Sequence, residues 1–250
     1  MRTAIVSDIH ANIEALEACL READKHKVER VCCLGDVVGY NASPNETADK
    51  IRAVSKVTIQ GNHDYVAAGL CDPQDLDFNA AADSAIRWTK SVLREDNRAW
   101  LEKLPEFSPL DESTLLVHGS PRNQNEYILT PWDLDVNVRF VREQHPKVRM
   151  IFFGHTHYPA LINAEGPTAG PGAERQGDTF LLKPGSLYFV NPGSVGQPRD
   201  GRPLSSFAIF DDAVPSVTFL RVAYDVEVAA KKNMAANIHP FLTERLRLGI

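Results

Sequence analysis

Side chains that commonly bind metal ions occur in five short groups between residues 8 and 157. Five of the eight histidines fall in these groups, together with aspartate and asparagine residues. Carboxylate, amide and imidazole ligands without sulfur suit Mn²⁺, Fe, Zn²⁺, Ni²⁺ or Co²⁺. The groups are Asp8-Ile9-His10, Gly35-Asp36, Asn62-His63-Asp64, His118 and His155-Thr156-His157.

The number of these side chains indicates two metal ions rather than one. Asp-x-His and His-x-His place two ligands in one short turn, so alternate side chains can reach the same metal pocket. The whole set exceeds what a single ion needs and is sufficient for two ions that share a bridging ligand. Two ions about 3.5–4 Å apart can clamp a phosphoryl group and hold a hydroxide between them. The pattern is therefore suited to chemistry on a phosphoryl group.

Each group directly follows a predicted β-strand. Short runs of apolar and β-branched residues that end at a glycine or at the polar group itself predict these strands. Ligands in open α/β sheets gather at the carboxyl ends of strands, where loops can converge while the sheet holds them rigid. The predicted strands cover residues 3–6, 31–34, 57–59, 114–117 and 150–153.

Helices are predicted between these strands. Apolar residues at helical spacing follow Asn12, which is the predicted N-cap of the first helix. Ser43, Pro44 and Glu46 predict a second helix that starts with a capping box. Further helices are predicted over residues 79–103 and 130–144. The alternation of strands and helices favours an α/β fold with covered sheet faces.

The later part of the chain is predicted to be richer in strands, with a helical end. Residues 164–177 are rich in glycine, proline and alanine and are predicted to form an exposed hairpin or loop. Residues 226–250 are predicted to be a C-terminal helical segment that Pro240 interrupts. With no internal repeat or long linker, we expect a single domain over residues 1–250. The later strands are predicted over residues 160–163, 179–182, 206–210 and 217–223.

Composition narrows the class of protein. The 250 residues carry a net charge of −6, which argues against a large nucleic-acid surface and hence against a nuclease. No stretch approaches the roughly 18–20 apolar residues of a membrane span. No signal segment opens the sequence, so we expect a cytoplasmic protein. The cysteines form no C-x-x-C pair, which favours small buried side chains in a reducing compartment over thiolate ligands; they are Cys19, Cys32, Cys33 and Cys71.

The five groups, in this order and with their flanking glycines, resemble the five motifs of calcineurin-like metallophosphoesterases. One Asp-x-His or His-x-His is weak support, whereas five motifs in order, each after a strand, form a specific pattern. The segment Asn191-Pro192-Gly193-Ser194-Val195-Gly196 also resembles the small bacterial branch of this family. The resemblance implies an α/β fold of four αββα layers, which is a β-sandwich flanked by helices.

The resemblance also implies a role for each residue of the motifs. Asp36 would bridge the two metal ions. His63 would face the phosphate and protonate the leaving oxygen or stabilise its charge, and Asp64 would orient His63. Taken singly, Asp8 and Asn62 could instead be helix caps, Asp64 a structural cap, and His10 or His118 a hydrogen-bonded core histidine. The implied ligand sets are Asp8, His10, Asp36 and His157 for one ion, and Asp36, Asn62, His118 and His155 for the other.

The segments beside the motifs resemble a bacterial subgroup described as diadenosine tetraphosphatase-like or as predicted phosphodiesterases. Arg122 and Arg199 follow two of these turns, and a guanidinium suits a substrate phosphate. Each arginine could equally form a structural ion pair. Tyr40, Tyr127 and Trp132 could stack on a base, although single aromatic residues more often belong to a core or rim.

We therefore expect a hydrolase that cleaves phosphodiester or phosphoanhydride bonds in small phosphorylated substrates, with nucleotides such as diadenosine polyphosphates as one class. Mn²⁺ is the expected activating ion. The alternatives are a general phosphomonoesterase, a non-catalytic scaffold and a nuclease. A scaffold would show gaps in the ligand set, and the sequence has none.

Overall fold

The computed structural model describes residues 1–76, 78–165 and 179–250, which form two β-sheets flanked by helices. The strands in this part of the chain are β1 Arg2–Val6, β2 Arg30–Cys33, β3 Ser55–Thr58, β4 Phe107–Pro109, β5 Thr114–Val117, β6 Met150–Phe152, β7 Ala160–Asn163, β8 Thr179–Leu181, β9 Tyr188–Asn191, β10 Ser205–Asp211 and β11 Ser216–Val222. The α-helices are α1 Ile13–Lys25, α2 Pro44–Val54, α3 Asn62–Ala68, α4 Ala80–Val92, α5 Glu95–Glu102, α6 Pro131–Gln144, α7 Val226–Ala235 and α8 Pro240–Leu248.

The strand order brings the carboxyl ends of parallel strands together. The first sheet has the order β3-β2-β1-β10-β11-β8, and the second has the order β4-β5-β6-β9-β7. Strands β1, β2 and β3 are parallel to one another, and so are β5, β6 and β9. Because parallel neighbours end at the same edge of a sheet, the turns after β1, β2 and β3 lie side by side, as do those after β5 and β6.

The two sheets pack face to face over an apolar core. Ile5, Phe210 and Phe219 of the first sheet share this core with Phe152 and Val190 of the second. A second cluster joins the other face of the first sheet to α1, α2 and α3. A third cluster lies between the second sheet and α6. Both sheets are therefore covered on both faces, and the architecture is the αββα sandwich that the resemblance implies.

The single helix predicted over residues 79–103 is instead two helices, α4 and α5. The break falls at Leu93 and Arg94, where Asn45 bonds to both sides of it. The Asn45 amide donates to the carbonyl of Val92 at 2.9 Å and accepts from the backbone N–H of Arg94 at 2.9 Å. A side chain 47 positions earlier thus satisfies the backbone groups that the break exposes. The sequence pattern also does not predict α3, β4 or β9.

The capping box predicted at the start of α2 is not formed. Ser43 precedes the helix, but its side chain makes no capping hydrogen bond to any described residue. Its hydroxyl oxygen lies 3.4 Å from the Lys232 ammonium in α7, and its carbonyl accepts from the Thr47 hydroxyl at 3.0 Å. The Ser43 side chain, which the local pattern assigns to the cap, therefore contacts a C-terminal helix instead.

The last residues form two helices, and Pro240 is the first residue of the second one, α8. Ile238 and Leu242 pack with Tyr40 and with the alanines of α4, which brings the C-terminal helices close to the turn after β2. No helix in the described part of the chain is long and apolar enough to cross a membrane. Residues 166–177 of the predicted hairpin at 164–177 lie outside the described residues.

Candidate metal centre

The turn after β1 carries Asp8 and His10 in an uncommon backbone conformation. Their φ angles are 52° and 48°, in the left-handed region, which costs a non-glycine residue about 1–2 kcal/mol. Backbone hydrogen bonds hold the turn there, because the Asp8 N–H donates to the Gly35 carbonyl at 3.1 Å and the His10 N–H donates to the Asp36 carbonyl at 2.8 Å. The turn after β1 is therefore fixed against the turn after β2.

The turn after β2 presents Asp36 beside the start of α3. Its Oδ1 accepts from the backbone N–H of His63 at 2.9 Å. Its Oδ2 lies 3.6 Å from Nε2 of His10 and 3.4 Å from Nε2 of His118. Gly61 permits this approach, since a Cβ there would lie 2.1 Å from Asp36 Oδ1. Asp36 thus lies between two groups of histidines: His10, with His157 beside it, and His118, with His155 beside it. A ligand shared by two metal ions would lie at this position.

Asp64 fixes the same turns through their backbone. Its Oδ1 accepts from the N–H of Val38 at 3.1 Å, and its Oδ2 accepts from the N–H of Gly61 at 3.1 Å. The implied role of Asp64 in orienting His63 by a hydrogen bond needs correction. Nδ1 of His63 is buried and has no hydrogen-bond partner among the described residues. Asp64 bonds the turn and the helix start instead of the imidazole.

His118 and His155, after β5 and β6, face the centre from the second sheet. Nδ1 of His118 donates to the Leu34 carbonyl at 2.7 Å, which leaves Nε2 to face Oδ1 of Asn62 at 3.1 Å. The backbone N–H of His155 donates to both carboxylate oxygens of Asp8, at 3.2 and 3.1 Å. Nε2 of His155 is buried without a hydrogen-bond partner in the described part of the chain. Such a ring nitrogen is suited to a metal ion.

His157 completes the group around Asp8. Its Nδ1 donates to the carbonyl of Gln197 at 2.6 Å. Its Nε2 lies 3.3 Å from Oδ1 of Asp8 and 3.1 Å from Nε2 of His10. Because the carbonyl fixes which nitrogen carries the proton, the other nitrogen is free to bind a cation.

The segment from Asn191 to Gly196 supports these turns from behind. The Asn191 amide donates to the carbonyl of Gly154 at 2.8 Å. The carbonyl of Asp8 accepts from the Ser194 hydroxyl at 2.8 Å and from the Gly196 N–H at 2.9 Å. The segment therefore acts on the ligand turns through their backbone.

Ligand atoms converge in three overlapping clusters, in each of which they lie within 4.8 Å of one another. All the residues concerned are buried. The donors are carboxylate oxygens and imidazole nitrogens, which fit divalent transition metals. His10 belongs to two of the clusters, and so does Asp36. One cluster includes His63, which the resemblance leaves outside the ligand sets. The clusters are Asp8, His10 and His157; His10, Asp36 and His63; and Asp36, His118 and His155.

Burial and the nearby carboxylates together set the pKa values of the buried histidines and of Asp64. Burial lowers the pKa of His155 to about 3 and the pKa of His63 to about 4, so both imidazoles are neutral near pH 7. Burial opposes the charging of His118 as well, but the carboxylates of Asp36 and Asp8 outweigh it and raise the pKa of His118 to about 9. Burial and the nearby Asp36 raise the pKa of Asp64 to about 7. A metal ion would compete with the proton on His118, because only a neutral imidazole can bind it.

A small cavity of about 40 Å³ opens beside the clusters, and Arg199 lies in its wall. The Arg199 guanidinium lies 3.4 Å from the Tyr40 hydroxyl and 3.3 Å from Oε1 of Gln197. Arg122 is not part of this wall. Its guanidinium pairs with Glu126 at 3.1 Å and borders a separate surface pocket. Of the two predicted phosphate-binding arginines, the structure brings only Arg199 to the clusters.

Two of the three aromatic residues that the sequence suggests for stacking on a base, Tyr40 and Tyr127, line the cavity. Tyr40 is buried between His10 and His63, with ring centroids 4.3 and 4.5 Å away. Tyr127 lies over the His155 ring at 3.9 Å and lines the cavity. Trp132 is 70% exposed and does not line the cavity.

Phe78 lines the cavity and is missed by sequence reasoning. Its ring stacks on His63, with centroids 4.6 Å apart and an interplanar angle of 24°. A lone phenylalanine before a helix carries no chemical signal in a sequence, so nothing in the sequence pattern could have identified it.

Comparisons with known proteins agree with this geometry. Residues 1–213 match the model of the calcineurin-like phosphoesterase superfamily domain. An uncharacterized protein of Methanocaldococcus jannaschii, MJ0912, is 35% identical, with 98% of this chain and 97% of that protein covered. The crystal structure of a metallophosphoesterase from Sphaerobacter thermophilus is 34% identical with a TM-score of 0.86, covering 100% of this chain and 99% of that one.

Phosphodiesterase YfcE of Escherichia coli K12 is a more distant relative. It is 26% identical, and the match covers 88% of this chain and 92% of YfcE. The family match spans every motif, from Asp8 to the segment after β9. The chain therefore belongs to the calcineurin-like phosphoesterase superfamily and is a metal-dependent hydrolase.

Proposed function

We propose that the chain hydrolyses phosphodiester or phosphoanhydride bonds with two divalent transition-metal ions, of which Mn²⁺ is the expected activating ion. The observation that carries this proposal is the position of Asp36, whose Oδ2 lies within 3.6 Å of imidazoles from both groups of histidines. One ion would be held by Asp8, His10, Asp36 and His157, and the other by Asp36, Asn62, His118 and His155. When bound, such ions polarise the phosphoryl group and neutralise its charge.

The side chains around the ions would complete the reaction. His63 lines the cavity beside the clusters and is proposed to donate a proton or a hydrogen bond to the leaving oxygen. Arg199 is proposed to bind a phosphate oxygen, because its guanidinium lies in the same wall and has no carboxylate within 4.0 Å among the described residues. Asp64 would hold the turns that carry Asp36 and His63. Arg122 is given no role in binding the substrate, because its guanidinium forms an ion pair with Glu126.

The proposed substrates are small phosphodiesters or phosphoanhydrides, with nucleotides such as diadenosine polyphosphates as one class. The phosphodiesterase activity in the name of YfcE supports a diester. The cavity beside the clusters is small, at about 40 Å³, and Tyr127 in its lining is 45% exposed, so most of a substrate would extend outward past Tyr127. A phosphomonoester would also fit such a site, so a general phosphomonoesterase is the second candidate function.

We also propose a single domain over residues 1–250 in a cytoplasmic protein. Packing of Ile238 and Leu242 against Tyr40 supports one folded unit. The cysteines are unpaired, and three of the four are buried, which agrees with a reducing compartment.

A panel of substrates with Mn²⁺ tests the proposal. It should contain nitrophenyl phosphate, bis-nitrophenyl phosphate, cyclic nucleotides and dinucleoside polyphosphates. We expect kcat/KM to be highest for a diester or an anhydride, and chelation to abolish activity. Highest kcat/KM for nitrophenyl phosphate would select the phosphomonoesterase, and no hydrolysis of any substrate with Mn²⁺, Fe²⁺, Zn²⁺, Ni²⁺ or Co²⁺ would contradict both.

A further inference from the structure

The imidazole of His63 lacks the polar partner that usually orients such a ring. A general acid is typically held by a hydrogen bond to its second ring nitrogen. Here Nδ1 of His63 is buried and has no hydrogen-bond partner among the described residues. The neighbouring carboxylate of Asp64 bonds to the backbone of Val38 and Gly61 instead. Something other than a hydrogen bond must hold the ring.

Aromatic rings and a glycine enclose His63 instead. Phe78 stacks on it at 4.6 Å and 24°, and Tyr40 lies against it at 4.5 Å and 57°. His10 meets its edge at 4.8 Å and 81°. Gly39 passes so close that a Cβ there would lie 2.5 Å from Nδ1 of His63. Of these three rings, Phe78 is the one that stacks nearly parallel to the imidazole, so it restricts the tilt of that ring most directly.

Phe78 is itself held by the elements on both sides. Its backbone N–H donates to the Leu76 carbonyl at 2.7 Å. The next residue, Asn79, caps α4 by accepting from the N–H of Ala82 at 3.0 Å. The Phe78 side chain packs against the cluster of α4 and α8 that contains Tyr40. The ring is therefore anchored to the helices that cover the cavity.

We infer that Phe78 is a positioning residue that keeps the His63 imidazole directed at the leaving oxygen by stacking on it. The part of this inference that concerns the reaction rests on the proposed function. Loss of the aromatic plane would let the imidazole tilt, and misplacement of a reacting group by about 1 Å can cost up to about a hundredfold in rate. The loss should be confined to substrates that need proton donation.

The kinetic test compares Phe78→Leu and Phe78→Met with Phe78→Tyr, which keeps the ring. Phe140→Leu is the matched control, because Phe140 lies near His145 (6.1 Å) and is half-buried like Phe78. For phosphodiesters with an alkyl or nucleoside leaving group, we expect kcat to fall about ten- to a hundredfold in the Leu and Met variants. Phe78→Tyr should restore it, and nitrophenyl leaving groups should be nearly unaffected. Equal losses for both leaving groups would overturn the inference.

Nuclear magnetic resonance of the metal-free protein with ¹⁵N-labelled histidine gives a readout without activity. We expect one sharp set of His63 imidazole signals in the wild type, Phe78→Tyr and Phe140→Leu, and doubled or broadened signals in Phe78→Leu and Phe78→Met. Unchanged His63 signals in a folded Leu or Met variant would overturn the inference. If the wild type hydrolyses no substrate, the proposed function fails, while these spectra still decide whether Phe78 holds the ring.

Discussion

The turns that carry the proposed ligands and the segments around the cavity mouth are held in place differently. Backbone hydrogen bonds join the turns after β1 and β2 at 2.8–3.1 Å, and the carboxylate of Asp64 joins the turn after β2 to the start of α3 by accepting from Val38 and Gly61. The mouth is built from single side chains on separate segments: Phe78 and Tyr127 pack on the rings of His63 and His155, and Arg199 lies beside the Tyr40 hydroxyl. A change in the turns should therefore remove the metal ions, whereas a change at the mouth should alter selectivity or rate and leave the metal ions bound.

Asp36→Asn should give the largest effect. A neutral amide cannot bridge two cations as a carboxylate does, so both metal sites should weaken and activity should fall by more than about a hundredfold, beyond the usual loss for a residue that only orients a ligand. Elemental analysis would measure metal per chain. Asp135→Asn is the control, since Asp135 is exposed and, among the residues that the structure describes, pairs only with Arg139. Unchanged metal content in Asp36→Asn would contradict the bridging role.

His63→Ala should come next and should separate rate from metal content. We expect kcat to fall by about 10²–10⁴ for poor leaving groups with both metal ions retained. Good leaving groups such as nitrophenolate should be affected least, because they need no proton. His26→Ala, at the end of α1, serves as the control. Loss of metal from His63→Ala would make His63 a ligand, which the cluster with His10 and Asp36 allows geometrically.

The two arginines offer a direct comparison at the cavity mouth. A hydrogen bond to a charged group contributes roughly 1.5–3 kcal/mol, so Arg199→Ala should lower kcat/KM for a dinucleoside polyphosphate by about ten- to a hundredfold. Nitrophenyl phosphate should be spared, because it has no second phosphate. Arg122→Ala should change neither substrate, because Arg122 pairs with Glu126 away from the cavity. If Arg122→Ala shows the larger loss, our assignment of the two arginines is reversed.

Asn45→Ala should have the smallest effect, on stability alone. The variant loses the hydrogen bonds to Val92 and Arg94 that satisfy the break between α4 and α5. We expect the free energy of unfolding in urea to fall by about 1 kcal/mol, with kcat and metal content unchanged. A fall in kcat comparable to that of Phe78→Leu would mean that the helices over the cavity act on the chemistry as a unit.

The difference between the ligand turns and the cavity mouth also explains how much of the site could be predicted from the sequence. The seven proposed ligands each follow a strand within one or a few residues, so local order along the chain was enough to place them. The Asp64 interaction could not be predicted that way, since one of its partners, Val38, lies 26 positions earlier in the chain. Phe78 and the cap from Asn45 depend on contacts across 15 and 47 positions, which no local pattern encodes. Arg122 and Arg199 each follow a motif turn in the sequence, and only the folded structure separates them: Arg199 lies in the cavity wall, and Arg122 pairs with Glu126 elsewhere.

Five of the proposed ligands, Asp8, His10, Asp36, His155 and His157, share left-handed backbone angles of 48–65°. Glycine would adopt these angles without strain, so a sequence selected for stability alone would favour glycine at these positions. Occupied sites would offset the strain, because a ligand that binds only the folded state stabilises it by an amount that grows with the logarithm of the ligand concentration. The free energy of unfolding would then rise with the metal supply. Chains without metal would keep the strained turns without compensation.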